Sequence, residues 1–176
     1  ILGFKSNIKV FNSTFLRTNL KLEIRSRGEK LVEKKETIQE ISSLLKTKYK
    51  DQSGILYAFS RAECEKLSDM LQEEDIKAEF YHAGMSAKKR NEIQEKWLNN
   101  ELQIICATIA FGMGIDKKDV RVVFHFNLPK SIEGYYQEIG RGGRDGKQSD
   151  CILYYNNSDL VRFNQMTNKK KNTIRE

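Results

Sequence analysis

The segment with the most chemical potential is Gln137-Glu-Ile-Gly-Arg141-Gly-Gly-Arg144-Asp-Gly146, ten residues with four glycines and two arginines three apart. Glycines let a backbone approach a ligand closely and turn its N–H groups outward. Residues three apart share one side of a helical turn, so both guanidinium forks can reach a single polyphosphate. Guanidinium donors also suit the charge on phosphate oxygens during phosphoryl transfer. The same residue types fit a Gly-rich turn bearing two solvated arginines.

Two further peptides follow apolar runs. In Thr108-Ile-Ala-Phe-Gly112-Met-Gly114-Ile-Asp116, a hydroxyl suits a phosphate backbone and a carboxylate suits a ribose or an arginine. An ordinary strand-to-loop turn would read the same way. Tyr81-His82-Ala83-Gly84-Met85 precedes Lys88-Lys89-Arg90 at the start of a helical stretch, a plausible phosphate seat. His82 by itself reads more readily as a hydrogen-bonded structural residue. No metal is expected. Cys64, Cys106 and Cys151 lie far apart, His82 and His125 are the sole histidines, and zinc-ligand spacing is absent. The thiols are expected buried and reduced.

The elements that must hold these peptides alternate. Strands are predicted at Leu20–Arg25, Ile55–Phe59, Ala78–Tyr81, Gln103–Ala107, Val120–Phe126 and Cys151–Tyr155. Helices are predicted at Leu31–Tyr49, Ala62–Glu74, Ala87–Asn99, Ile132–Ile139 and Ser158–Met166. Ser60-Arg-Ala-Glu63 has the pattern of a capping box. Runs such as Ile104-Ile-Cys-Ala107 and Val120-Arg-Val-Val-Phe124 are nearly continuous in apolar residues, as strands buried on both faces of a parallel sheet are. The implied fold is three-layer α/β, with a mostly parallel central sheet flanked by helices. Ligands in such folds gather at the carboxyl ends of strands, here after Phe59, Tyr81, Ala107 and Phe126.

The chain has 176 residues, enough for one domain with its own core. Hydrophobic residues make up 39% and charged residues 31%, a globular composition rather than a disordered one. No apolar run approaches the ~20 residues a membrane span needs, and Ile1-Leu2-Gly3-Phe4-Lys5 is not a secretion signal. An intracellular protein without a membrane partner is expected. Lys and Arg exceed Asp and Glu by 31 to 24, and the net charge of +7 favours a polyanionic partner. A well-solvated surface would show the same balance. Lys169-Lys170-Lys171 reads as a frayed tail.

Taken together, the peptides resemble the conserved motifs of the second RecA-like lobe of superfamily 2 helicases, and their wording is similar to the RecQ family. Ser53-Gly-Ile-Leu-Tyr-Ala-Phe-Ser60-Arg61 resembles motif IV, Cys106 to Lys117 motif V, and Leu128-Pro-Lys-Ser131 through Gly146 motif VI with its approach. Phe15-Leu-Arg17-Thr-Asn19-Leu20 resembles the peptide that opens this lobe. A DEAD-box RNA helicase would normally carry His-Arg where Gln137-Glu138 stand.

The resemblance implies an ATP-dependent helicase moving 3′ to 5′ on single-stranded DNA, with duplex DNA as its other form of substrate. DNA repair, and the nucleus in a eukaryote, are the implied setting. ATP and Mg²⁺ would be held mainly by a first lobe in cis. Arg144 matches the arginine finger, with Arg141 its partner. Gln137, Gly114 and Asp116 match residues lining the nucleotide cleft. Ser60, Arg61, His82, Thr108, Lys130 and Ser131 match positions facing the single strand.

There are departures: Gly142 replaces the usual Ala, with a cost of roughly 0.5–1 kcal/mol if helical, Thr18 a usual Pro, and Lys118 another. Neither a G-x-x-x-x-G-K-[ST] loop nor an Asp-Glu-x-His motif occurs, so the lobe is not expected to hydrolyse ATP alone. The expected division is an inter-lobe linker or end of the first lobe at 1–14, the lobe at 15–167, and a basic tail at 168–176. The missing initiator Met gives the expectation of a piece of a longer enzyme. A non-catalytic nucleic-acid-binding scaffold and an RNA helicase lobe are the competing readings.

Overall fold

A computed structural model of the chain describes residues 16–28, 30–109, 111 and 116–161. Within them, β1 (Leu20–Ser26), α1 (Leu31–Lys46), β2 (Ser53–Tyr57), α2 (Arg61–Glu73), β3 (Ala78–Tyr81), α3 (Ala87–Leu98), β4 (Ile104–Ala107), β5 (Val120–His125), α4 (Ile132–Ile139) and β6 (Ser149–Tyr155) follow in order. Residues 157–161 are helical and open the expected fifth helix, whose remainder lies outside the described residues. The expected linker at 1–14, Gly114 and the basic tail also lie outside them.

The six strands form one sheet in the order β1-β6-β5-β2-β4-β3, and every pairing is parallel. Burial follows strand alternation. Leu56, Ile104, Cys106, Val122, Phe124, Ile152 and Tyr154 pack with Ile38, Ile41 and Leu45 of α1 and Cys64, Leu67 and Leu71 of α2. Their neighbours Ile55, Tyr57, Ile105, Ala107, Val123 and Cys151 pack with Ile93 and Trp97 of α3 and Ile139 of α4. Two helices therefore cover each face, which makes the three layers. This is why β4 and β5 read as nearly continuous apolar runs.

The strand bounds moved by two residues in β2 and β6, and by one in β1, β4 and β5. β2 starts and ends two residues before its predicted bounds, because the Phe59 N–H leaves the sheet to donate to the Glu63 carboxylate and the Asn127 side chain, both at 3.2 Å. β6 begins at Ser149 because β1 offers it partners from Leu20 onward. All three cysteines are buried free thiols. Burial pushes Cys64 and Cys151 up to about 12, and Cys106 well above its ordinary value.

Candidate nucleotide and nucleic-acid faces

The sheet order decides which loops meet. β5, β2, β4 and β3 are neighbours, so the loops after their carboxyl ends form one row although they are scattered in sequence. Lys130 and Ser131 follow β5, Ser60 and Arg61 follow β2, Thr108 follows β4, and His82 follows β3. Four adjacent strands span ~15 Å across.

Contacts join the row. The Lys130 ammonium lies 5.3 Å from the centre of the Phe59 ring. The Thr108 N–H donates to the Tyr81 carbonyl at 3.4 Å. Arg61 comes so near Gly84 that a Cβ there would stand 3.1 Å from Nη1. Ser60 and Ser131 cap α2 and α4, accepting from the N–H groups of Glu63 (3.2 Å) and Gly134 (3.0 Å). A capping hydroxyl accepts with its oxygen and keeps its own proton to donate. The expected capping box is half formed, since the Glu63 carboxylate takes the Phe59 N–H rather than that of Ser60.

His82 is buried. Its Nε2 lies 2.8 Å from the Glu65 carboxylate, its Nδ1 accepts the Gly84 N–H at 3.2 Å, and its ring stacks on Phe80. Both ring nitrogens are thus engaged in shaping the loop.

The arginine segment is not on this row. α4 starts at the carboxyl end of β5 and runs back over the sheet, so the turn after it reaches the amino ends of β5 and β6. There the Gly143 N–H donates to the Val120 carbonyl at 2.9 Å and that of Asp145 to Lys118 at 3.2 Å. The arginine turn therefore lies away from the loops after Phe59, Tyr81, Ala107 and Phe126, where ligands were expected to gather. A helix antiparallel to its strand exports its last turn to the opposite end.

Both arginines act electrostatically on one phenol. Burial pushes the Tyr57 hydroxyl well above its ordinary value, and the charges of Arg141 and Arg144 oppose that shift, Arg141 also by a hydrogen bond. Arg144 Nη1 lies 3.3 Å from the carboxylate of Asp116, in a pair whose side chains are 34% and 70% exposed. Gln137 is exposed on α4, one turn before Arg141. Arg141 and Arg144 therefore stand on one turn, and Arg144 is not buried in an internal pair.

The supports of this region were not evident in the sequence. Lys117, next to Asp116, is buried against the end of α3, where its ammonium donates to the Leu98 carbonyl (3.3 Å) and Asn100 (2.8 Å). Phe111 sits edge-on to Tyr81 and Trp97, with centroids 4.8 and 5.4 Å away. These contacts anchor the motif V segment at Phe111 and Lys117. On α4, Glu138 pairs with His125 at 2.9 Å, and His125 stacks on Tyr57. Arg17 and Asn19, before β1, hold the carbonyls of the arginine turn.

Gly142 lies in a turn rather than a helix, and a Cβ there would stand 2.5 Å from the Ser149 hydroxyl. Its expected helical cost does not apply, and the close approach explains the glycine. Lys118 contributes a backbone carbonyl, which a proline would also supply. The structure gives no reason for Thr18.

Among the described residues no group of three His, Cys, Asp or Glu could hold a metal ion, and no helix is long and apolar enough to cross a membrane.

Comparison with known proteins identifies the family. The family model for the helicase conserved C-terminal domain matches residues 33–146. ATP-dependent helicase SGS1 of Saccharomyces cerevisiae is 47% identical over 163 residues, covering 93% of this chain and 11% of that protein. RecQ-like DNA helicase BLM of Xenopus laevis is 45% identical over 164 residues, covering 93% of the chain and 12% of its own length. The chain thus spans a small part of the curated relatives it matches, 12% or less of these two and 25% of rat ATP-dependent DNA helicase Q1. Among solved structures, Lhr helicase of Mycobacterium smegmatis bound to single-stranded DNA and AMP-PNP has a TM-score of 0.70 at 22% identity, covering 81% of this chain and 20% of that one. Prp28 RNA helicase of Chaetomium thermophilum bound to ADP also has 0.70, at 24% identity, covering 88% and 38%. At those identities the likeness shows the fold alone. The chain belongs to the helicase conserved C-terminal domain family, as a RecQ-family lobe of superfamily 2.

Proposed function

We propose that this lobe serves an ATP-dependent DNA helicase that moves 3′ to 5′, supplying an arginine finger and part of the path for a single strand. The observation that carries this is Arg144, exposed on the same turn as Arg141 and paired with the Asp116 carboxylate at 3.3 Å.

An exposed ion pair is worth about 0–1 kcal/mol, so Asp116 pairs with Arg144 without holding it fast. A triphosphate presents more negative charge and competes for the same fork. Arg144 then sits at the γ-phosphate, where an arginine supplied at the transition state is worth ~10³–10⁵ in rate in related systems. Arg141 backs it from the Tyr57 side. Gln137, Asp116 and Gly114 line the cleft. The donors present fit phosphate and not a metal, so the Mg²⁺ that accompanies ATP is assigned to the first lobe in cis, which also holds the nucleotide. Hydrolysis needs both lobes.

The carboxyl-edge row takes the strand. Arg61 and Lys130 contribute charge, and Ser60, Ser131 and Thr108 contribute hydroxyl donors to phosphates. His82 acts there by holding the loop that presents its neighbours. Working on DNA places the enzyme inside the cell, in the nucleus of a eukaryote.

The test is Arg144→Ala in the full-length enzyme. DNA-stimulated ATPase is expected to fall by ~10³ or more, with single-strand binding retained. Normal turnover would overturn the assignment. Unwinding of 3′-tailed but not 5′-tailed duplexes checks direction, and stimulation by DNA against RNA checks the polymer.

A further inference from the structure

Arg17 and Asn19 have no role in the function proposed above, yet their side chains make five hydrogen bonds to carbonyls of the arginine turn. Arg17 Nη2 donates to the carbonyls of Gly142 (2.8 Å) and Gly143 (2.9 Å), and Nη1 to that of Gly140 (3.4 Å). Asn19 Nδ2 donates to the carbonyls of Gly143 and Lys147, both at 2.8 Å. Arg17 Nε donates to Asn19 Oδ1 at 3.2 Å, which joins the two side chains. The Asn19 carbonyl in turn accepts the Ser149 N–H at 2.9 Å, where β6 begins. Four carbonyls on both sides of Arg144 thus converge on two residues at the entrance to β1.

The physical consequence follows from the glycines. Chain rich in glycine loses more conformational freedom on ordering than any other, so this turn does not hold one shape by itself. A planar fork of five donors holds several carbonyls in one fixed geometry, which the three rotatable donors of an ammonium do not. With the carbonyls drawn inward to Arg17 and Asn19, the Arg144 side chain is left on the outer side.

We propose that Arg17 and Asn19 are positioning residues for the arginine finger, fixing the turn so that Arg144 meets a triphosphate without reorganising. This rests on the reading of Arg144 given above. Neither residue contacts the nucleotide; both act through the backbone of residues 140–147. Misplacement of a reacting group by about 1 Å can cost ~10²-fold in rate, which is the scale of effect expected.

The experiment uses the full-length enzyme with Arg17→Ala, Arg17→Lys, Asn19→Ala, Arg144→Ala and the double variant of Arg17→Ala with Arg144→Ala. Steady-state ATPase with DNA, single-strand affinity and unfolding midpoint are measured for each. Arg17→Ala is expected to lower kcat ~10- to 100-fold, leaving the ATP KM and DNA affinity within about twofold. Arg17→Lys keeps the charge without the fork and recovers little. The double variant is expected to match Arg144→Ala alone, since positioning counts for nothing once the finger is gone. If Arg17→Ala lowers the midpoint, Asn19→Ala carries the same comparison. Loss of kcat in Arg144→Ala with unchanged kcat in both Arg17→Ala and Asn19→Ala would overturn the clamp and leave the finger standing. An additive loss in the double variant would show a merely structural role and also overturn it. An unchanged kcat in Arg144→Ala overturns the finger, and the clamp with it.

Discussion

Gly143→Ala strains the arginine turn by an amount that follows from its geometry. Gly143 has a φ of +53°, where an L side chain costs about 1–2 kcal/mol. A Cβ there would lie 2.3 Å from the Lys147 carbonyl oxygen and 2.5 Å from Asn19 Nδ2. Neither yields easily, because the oxygen is backbone and Nδ2 is already bonded to two carbonyls. If the turn opens, the bond from the Gly143 N–H to Val120 and those its carbonyl accepts from Arg17 and Asn19 are at risk, each about 0.5–1.5 kcal/mol. Handedness with the loss of two such bonds comes to roughly 2–5 kcal/mol. At about 1.4 kcal/mol per factor of ten, the middle of that range depletes the native turn about 100-fold or more. Gly146→Ala is the control: its φ is +81° but nothing lies within 4 Å of the added carbon. The assay is DNA-stimulated ATPase of the full-length enzyme, with amide exchange at Asp145, whose N–H bonds Lys118. Gly143→Ala should lower kcat by about two orders of magnitude and speed exchange, and Gly146→Ala should cost no more than about tenfold. Equal damage from the two, or an unchanged Gly143→Ala, would refute the reasoning.

Other tests address the frame and the strand path. Asp159→Asn leaves Arg27, 1% exposed, without its carboxylate partner at 2.7 Å, and urea unfolding should show a loss of about 3–5 kcal/mol. Burial raises the Asp150 carboxyl, but hydrogen bonds from Lys48, Tyr49 and Gln148 outweigh it and hold the group below its ordinary 3.8. A depressed carboxyl adds stability that is complete above 3.8 and lost as pH falls through the lower folded value, so Asp150→Asn should flatten that acid limb in pH-dependent unfolding. Arg61→Ala and Lys130→Ala should each weaken single-strand binding uniformly across sequences and reduce the salt slope by about 0.7, read by titration at several salt concentrations. An unchanged slope would remove that residue from the strand path.

The parallel, doubly covered sheet was legible from the sequence because a strand buried on both faces must be apolar at every position, as Ile104–Ala107 is. The helix start at Ser60 was legible for a similarly local reason, since a cap bonds an N–H only three residues on. The motif residues could be named, but not where they would meet. That depended on the β5-β2-β4-β3 order, which no local pattern encodes.

What tertiary structure alone decided lies in contacts between distant residues. The arginine turn reached the amino ends of β5 and β6 because α4 runs back across the sheet. It is held by Arg17 and Asn19, 123 to 128 residues away in sequence. The glycine at 142 is explained by Ser149, and the buried Arg27 by Asp159. Periodicity and spacing report what each residue does to its own helix or strand. They carry no record of which distant backbone a side chain will hold, because that is set by how the packed layers align.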